Sequence, residues 1–487
     1  MQKAENMLVE QTAINFAANV FSAAFGLINV VIFTRLFAPA EFGTYVLGAG
    51  FAAILSTFLC SWLRLPIMRE QARGDGTDVR GIILPGLLLS CLLAPLAYAA
   101  ARLAGLGNGA AVAAIGLAIA IGLSETSQEL LRARLQAFTV MKATALRAVL
   151  VPALGVGFAV AGPTGILLLT SSALAYLLAA LVFARAAWNG TSVRLDGARL
   201  LRLARSGLPL TLSLTLLALS SVIDRFIIAH LIGPAGAGQY SAGVDLVRQA
   251  LIIPAVSASA AFVPLAVQIF ANRGHEAVRA HLDECLEFLL AIALPACVGF
   301  ASVAPHVANV VLGPDFRSVA GTVMPIVAVA VIFQIVSYQY LHISFLLSNR
   351  NAFYLLNTGS VLAFNAVVSY FLIGRYGMSG AAWGRLAAEV FGFASAFLLT
   401  RWAFPVPLPL SRMTRVFIAA MVMSIVVRGL ETMLAVSDRD ALAVLIPAGM
   451  ASYLAMCWVL DIARSRHRLN RCLVIARVRL APLTRPR

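Results

Sequence analysis

Long apolar runs follow one another along almost the whole chain, each close to the ~20 residues a helix needs to cross a membrane. They fall roughly at 11–33, 43–63, 81–103, 109–128, 140–161, 163–186, 208–232, 238–270, 287–313, 319–347, 352–374, 378–400, 413–433 and 440–462. No water-soluble globule buries that much apolar sequence. Of the residues 61% are hydrophobic and 12% charged, against roughly 45–50% and about 25% in a soluble domain. Backbone polar groups in lipid must be satisfied within the segment, which leaves the helix for runs of this length. The pattern predicts an all-α integral membrane protein of about fourteen transmembrane helices.

The net charge of +16 has a topological origin. Among the 37 lysines and arginines, only Arg35, Arg102, Arg317, Arg375, Arg428 and Arg439 fall on the odd-to-even loops, and Arg225, Arg248 and Arg385 lie within spans. The rest gather on the other side. Positive charge marks the cytoplasmic side, so both termini are expected there, and the basicity is no nucleic-acid footprint. The N-terminal "MQKAENMLVEQ" carries acids beside Lys3 and leads into a full span, so it is expected to be retained. The six cysteines lack metal or disulfide spacing.

The segment "TRLFAPAEFGTYVLG" at 34–48 returns as "AHLIGPAGAGQYSAG" at 229–243. At an offset of 195, Leu36, Pro39, Ala40, Gly43, Tyr45 and Gly48 match Leu231, Pro234, Ala235, Gly238, Tyr240 and Gly243. Ile28-Asn29 falls over Ile223-Asp224 in the same register. A weaker echo links "AGPTGILLLTSSALAYLLAA" at 161–180 with "YGMSGAAWGRLAAEVFGFAS" at 376–395. Six spans separate each pair, an even number, so the copies enter the membrane in the same sense. That predicts two six-helix lobes related by a pseudo-twofold axis along the membrane normal, able to rock about a central cleft. The expected divisions are an N-terminal lobe at 1–190, a cytoplasmic linker at 191–207, a C-terminal lobe at 208–402, an extra helical hairpin at 403–463 and a basic tail at 464–487. The tail reads as an interfacial helix on anionic lipid.

"TRLFAPAEFGTYVLG", "DRFIIAHLIGPAGAGQYSAG" and "GMSGAAWGRLAAE" resemble the polysaccharide-transporter branch of the multidrug/oligosaccharidyl-lipid/polysaccharide exporter superfamily. The resemblance covers spans 1 to 12. It implies a Wzx-like flippase of the bacterial inner membrane that moves an undecaprenyl-diphosphate-linked oligosaccharide to the periplasmic leaflet. Membrane lipids, and polysaccharide polymerase and glycosyltransferases, would be its partners. It implies no cofactor beyond a coupling H⁺ or Na⁺. Span 1 has no basic residue between Lys3 and Arg35, unlike lipid II flippases. Span 1 also has no acid, only Asn29, unlike many multidrug-extruding relatives. Both remain alternatives. A membrane polymerase or glycosyltransferase is the reading of another class. Against it stand short outer loops, whose acids are Glu41, Asp315, Glu431, Asp438 and Asp440, and the lack of a Walker A, HExxH or GxSxG pattern.

Charge inside a membrane span costs ~2.5–3.5 kcal/mol per residue, and six such residues fall in the C-terminal lobe. Asp224 and Arg225 are adjacent in span 7, Asp245 and Arg248 stand at i, i+3 in span 8, and Arg385 and Glu389 at i, i+4 in span 12. Each set can be helix cement. Alternatively, Arg225, Arg248 and Arg385 face the cleft and bind a diphosphate or acidic sugar through the paired donors of guanidinium. Asp224, Asp245 and Glu389 then hold the arginines between visits or take a coupling ion. On the cytoplasmic side Arg64 and Arg147, the latter two turns inside span 5 near Glu125 and Glu129, are candidates to receive an incoming headgroup. Pro85, Pro95, Pro152, Pro254, Pro264, Pro295, Pro305 and Pro325 are candidate kinks. His306 reads as a structural hydrogen-bonder.

Overall fold

The computed structural model describes residues 20–67, 80–191, 196–434 and 436–462. Every regular element among them is a helix. The basic tail and the loop arginines Arg69, Arg73 and Arg194 lie outside the described residues. In chain order the principal helices are α1 (Val20–Leu36), α2 (Pro39–Arg64), α3 (Arg80–Cys91), α4 (Ala94–Leu103), α5 (Asn108–Ala133), α6 (Ala137–Ala161) and α7 (Gly165–Val182). There follow α8 (Gly197–Ser220), α9 (Ile223–Leu231), α10 (Pro234–Val311), α11 (Pro314–Val336), α12 (Asn351–Trp402), α13 (Leu410–Met433) and α14 (Asp438–Val459).

Ten described helices are long and apolar enough to cross a membrane, or eleven with the bent pair α3–α4 taken as one span. That is fewer than the fourteen expected, for physical reasons. α10 and α12 each hold two expected spans, joined through Gly274 (φ 78°) and Gly377 (φ 61°). Positive φ is open to glycine and strained for other residues. The chain doubles back at both. Past Gly377, a methyl group on Gly380 would stand 2.0 Å from the Leu372 carbonyl oxygen, and Asn357 donates to the Gly392 carbonyl at 3.2 Å. Past Gly274, the Phe262 and Phe288 rings meet edge to face at 5.2 Å. α3 and α4 meet at a 47° bend, where Pro95 opens the second helix. The first expected span is described only from Val20.

The repeated turn brings two equivalent helices together. Pro39 and Pro234 stand in the first turns of α2 and α10, where proline's fixed φ suits helix entry and its missing N–H is no loss. Four residues on, the two glycines meet across the molecule. A methyl group on Gly43 would lie 1.8 Å from the Pro234 carbonyl oxygen, and one on Gly238 would lie 2.2 Å from that of Pro39. Position for position, the contact is reciprocal. Reciprocity of this kind is the signature of a twofold relation. Beside it Thr34 accepts from the Gly313 amide at 3.2 Å, and Arg35 donates to the Val310 carbonyl at 2.8 Å. The Phe42 and Phe316 rings pack edge to face at 5.6 Å. The halves are thus sealed at the end of α2 that carries Pro39.

The C-terminal hairpin packs on the second half of α10. Met423 lies against Gly299, Ser302 and Ser424 share a hydrogen bond of 3.1 Å, and the Tyr453 hydroxyl donates to the Ala291 carbonyl at 2.8 Å. His306 bridges Asp438 at 2.7 Å and Glu431 at 3.1 Å, from both helices of the hairpin. It is a hydrogen-bonder, as its sequence context suggests, and its partners are two carboxylates.

Candidate functional site

Away from the seal the halves part around a cavity of about 400 Å³. α2 gives it Thr57 and Arg64, α10 gives Arg248 and Ile252, and α12 gives Arg385; the end of α8 and the start of a π-helical turn complete the wall. The π-helix (Ser337–Leu341) follows α11 directly. Widened turns of this kind recur at functional sites, and here Tyr338 and Gln339 reach the cavity with Gln334 one turn earlier. Gln339 accepts from the Ser259 hydroxyl at 2.5 Å, while the side-chain oxygen of Gln334 is buried with no partner among the described residues. The described lining holds three arginines and no carboxylate.

The three arginines are anchored differently. Arg385 is 3% exposed and gives one nitrogen to Asp224 at 3.1 Å and another to Glu389 at 3.4 Å. Asp224, 1% exposed, also accepts from Asn365 at 2.7 Å and from the Tyr240 hydroxyl at 3.3 Å. The Nε of Arg385 is buried with no partner among the described residues. Arg248 donates to the Ser221 carbonyl at 3.3 Å and enters no ion pair among the described residues. Arg64 pairs with Glu125.

The pair Arg385–Glu389 is the one the i, i+4 spacing suggests, but the other partners differ from those that spacing suggests. Asp245 pairs with Arg225, not with Arg248 one turn along its own helix. Asp224 turns from its neighbour Arg225 to Arg385 across the lobe. Adjacent residues on a helix point about 100° apart, so they cannot share a face. Pairing between helices also satisfies charge at sites where lipid would not. Arg225 therefore sits outside the three-arginine cavity. With Asp245 and Gln249 it lines a second cavity, of about 300 Å³, against Asn29, Tyr45 and Gly50 of the N-terminal helices. In the 195-residue register, Asn29, Val30, Gly50 and Ala53 stand where the C-terminal lobe has Asp224, Arg225, Asp245 and Arg248. One lobe carries the charges and the other carries neutral residues in the matching places.

Arg147, with Arg64, lines a third cavity of about 410 Å³, between α2, α5 and α6. Its guanidinium lies 4.9 Å over the Tyr176 ring. The sequence thus identifies Arg64, Arg147, Arg248 and Arg385 as cavity residues. It misses Gln128, Gln334, Tyr338 and Gln339, although "IFQIVSYQY" is unusually polar for the middle of a span.

A family profile described as polysaccharide biosynthesis protein matches residues 8–270. The chain belongs to that family. A search of the curated proteins finds no match. Among solved structures, one titled "Lipid II flippase MurJ, inward closed conformation" is similar with a TM-score of 0.77 at 14% identity, over 92% of this chain and 99% of that one. An inward-facing multidrug resistance MATE transporter has a TM-score of 0.56 at 18% identity, over 80% of this chain and 94% of that one. The MATE transporter VcmN of Vibrio cholerae has a TM-score of 0.57 at 16% identity, over 82% and 96%. At these identities the likeness is one of fold. The chain shares its fold with these membrane transporters.

Proposed function

We propose that this protein is a flippase that carries a polyprenyl-diphosphate-linked oligosaccharide across the bacterial inner membrane by alternating access. The observation that carries the reading is a cavity between the halves, lined by Arg64, Arg248 and Arg385 without a carboxylate and closed at its far end by the Pro39–Gly43 and Pro234–Gly238 contact. Three guanidinium forks around one cavity favour a ligand with several phosphate oxygens. They disfavour a cationic drug, which would need acids in the same place. By the distribution of loop charge the open end of the cavity is cytoplasmic, the side on which a lipid-linked precursor is made. The membrane potential helps: moving negative charge outward gains ~2.3 kcal/mol per charge per 100 mV. Asp224, Asp245 and Glu389 all hold arginines; protonation of an acid released by its arginine is the route by which H⁺ would couple. The polymerase and glycosyltransferases of the same polysaccharide would act after and before it.

The test is lysine replacement, which keeps charge and loses the fork. R248K is expected to leave protein levels normal, lower export of the polysaccharide at least about tenfold, and let the lipid-linked intermediate accumulate. R225K, outside the cavity, is the comparison. Normal export by R64K, R248K and R385K together would overturn the assignment.

A further inference from the structure

Arg64 lines a second cavity beside the three-arginine cavity. The Arg64 side chain ends α2 and forms part of two walls, one facing that cavity and one facing the 410 Å³ cavity of the N-terminal helices. The second cavity has a different chemistry. Glu125, Gln128, Glu129 and Arg132 reach it from α5, and Thr144 and Arg147 from α6. Carboxylates accept, guanidinium and amide groups donate, and a hydroxyl does both. Arg64 pairs with Glu125, Arg132 with Glu129 at 3.0 Å, and the Thr144 hydroxyl donates to the Gln128 side-chain oxygen at 3.3 Å. That bond orients the Gln128 amide, 6% exposed, and leaves its nitrogen buried with no partner among the described residues. A buried donor without an acceptor is costly, and in a polar cavity it points to a ligand that supplies one.

Charge narrows the ligand. A phosphate entering here would meet Glu125 and Glu129, and a cation would meet Arg64, Arg132 and Arg147. A neutral molecule rich in hydroxyls meets neither penalty. It offers donors to the carboxylates and acceptors to the guanidinium and amide groups. The size fits a compact ligand, since pockets for small molecules run ~300–1,000 Å³. In a polyprenyl diphosphate saccharide the first sugar is bonded directly to the phosphate, so a sugar site must adjoin the phosphate site. Shared Arg64 meets that condition.

We infer that the N-terminal cavity holds the first sugar of the cargo, while the neighbouring arginines hold its diphosphate. Gln128, Glu129 and Thr144 are then specificity-determining residues. The inference rests on the proposed cargo.

The test uses purified full-length protein in lipid nanodiscs and two probes. One is undecaprenyl diphosphate; the other is the lipid-linked saccharide extracted from cells lacking this transporter. Q128L and E129Q are each expected to weaken binding of the extracted saccharide about tenfold, the scale of one lost hydrogen bond. Binding of undecaprenyl diphosphate should be unchanged, which also reports that the variants are folded. T144V, which releases the Gln128 amide from its orientation, should act in the same direction. Equal weakening of both probes, or no change in either, overturns the sugar assignment. R248K addresses the separate question of the phosphate and should weaken both probes. If R248K changes neither while Q128L and E129Q still separate the probes, the arginine assignment fails and the sugar assignment stands. If neither probe binds the native protein, the cargo is something else and both readings fall.

Discussion

Arg385 and Arg248 reach the same cavity but answer to different forces. Arg385 is held between two buried acids, and removing one side of such an arrangement costs about 3–5 kcal/mol because a charge is left unpaired. D224A is therefore expected to lower the amount of folded protein in the membrane, and R385L in the same chain to restore part of it. Detergent-extracted yield and thermal unfolding measure both. Arg248 makes one backbone hydrogen bond, so R248A should leave the melting temperature near that of the native chain and act on export alone. A drop in yield for R248A as large as that for D224A would refute the distinction. The sequence exposes which charges are anomalous, because each stands in an apolar run. It does not expose their partners. Spacing of three or four within a helix proposes Asp245 for Arg248, but Arg225 arrives from another helix and takes it. Interhelical pairing is decided by lobe packing, which has no local signature. The buried amide of Gln128 leaves no mark in the sequence for a simpler reason: a single glutamine near the end of a span is unremarkable without the cavity beside it.

At the scale of elements, proline and glycine carry most of what the chain reveals. Pro39 and Pro234 mark helix starts, as the repeat suggests, and Gly43 and Gly238 mark the place where the two starts touch. The contact itself is not legible, because a repeat says that two elements are alike and leaves open where they meet. Replacing either glycine by leucine would force the halves apart at the seal. Overpacking of this kind costs about 1–3 kcal/mol, here charged to the sealed state alone, so the population moves toward the state open at that end. The reciprocal geometry makes G43L and G238L equivalent, and both should lower crosslinking, by a short bifunctional thiol reagent, between cysteines placed at Arg35 and Val310, which meet across the seal. Loss of crosslinking in only one of them would contradict the twofold relation. Gly274 and Gly377 are a separate case: sequence periodicity treats the chain on either side as separate spans, and the non-helical backbone at each glycine is where one span turns into the next. Alanine at Gly377 must take up a left-handed conformation, at a cost of roughly 1–2 kcal/mol. Alanine at Gly374, three residues earlier with nothing within 4 Å of an added methyl, should be neutral in the same unfolding assay.

On the scale of the whole molecule, two asymmetries fix how such a machine would be oriented. One is the distribution of loop arginines, visible in the sequence, and the other is the position of the seal and the cavity along α2, visible only in the structure. Pro39 opens that helix and Arg64 closes it, so the seal and the arginine cavity lie toward opposite membrane faces. Positive charge assigns the Arg64 end to the cytoplasm. The assignment is open to direct test with single cysteines and a thiol reagent that does not cross the membrane. Substitutions at Thr164, Ala235 and Tyr376 should label in intact cells whose outer membrane has been permeabilised, while Asp196 and Gly190 should label only after the inner membrane is opened. A cysteine at Leu217, within the cavity, should behave like the cytoplasmic pair in the native chain. In G43L it should become reachable from the outside. Labelling of Leu217 from the outside in the native chain would mean that the loaded and empty faces have been assigned the wrong way round, and that the cavity faces the product side of the reaction cycle.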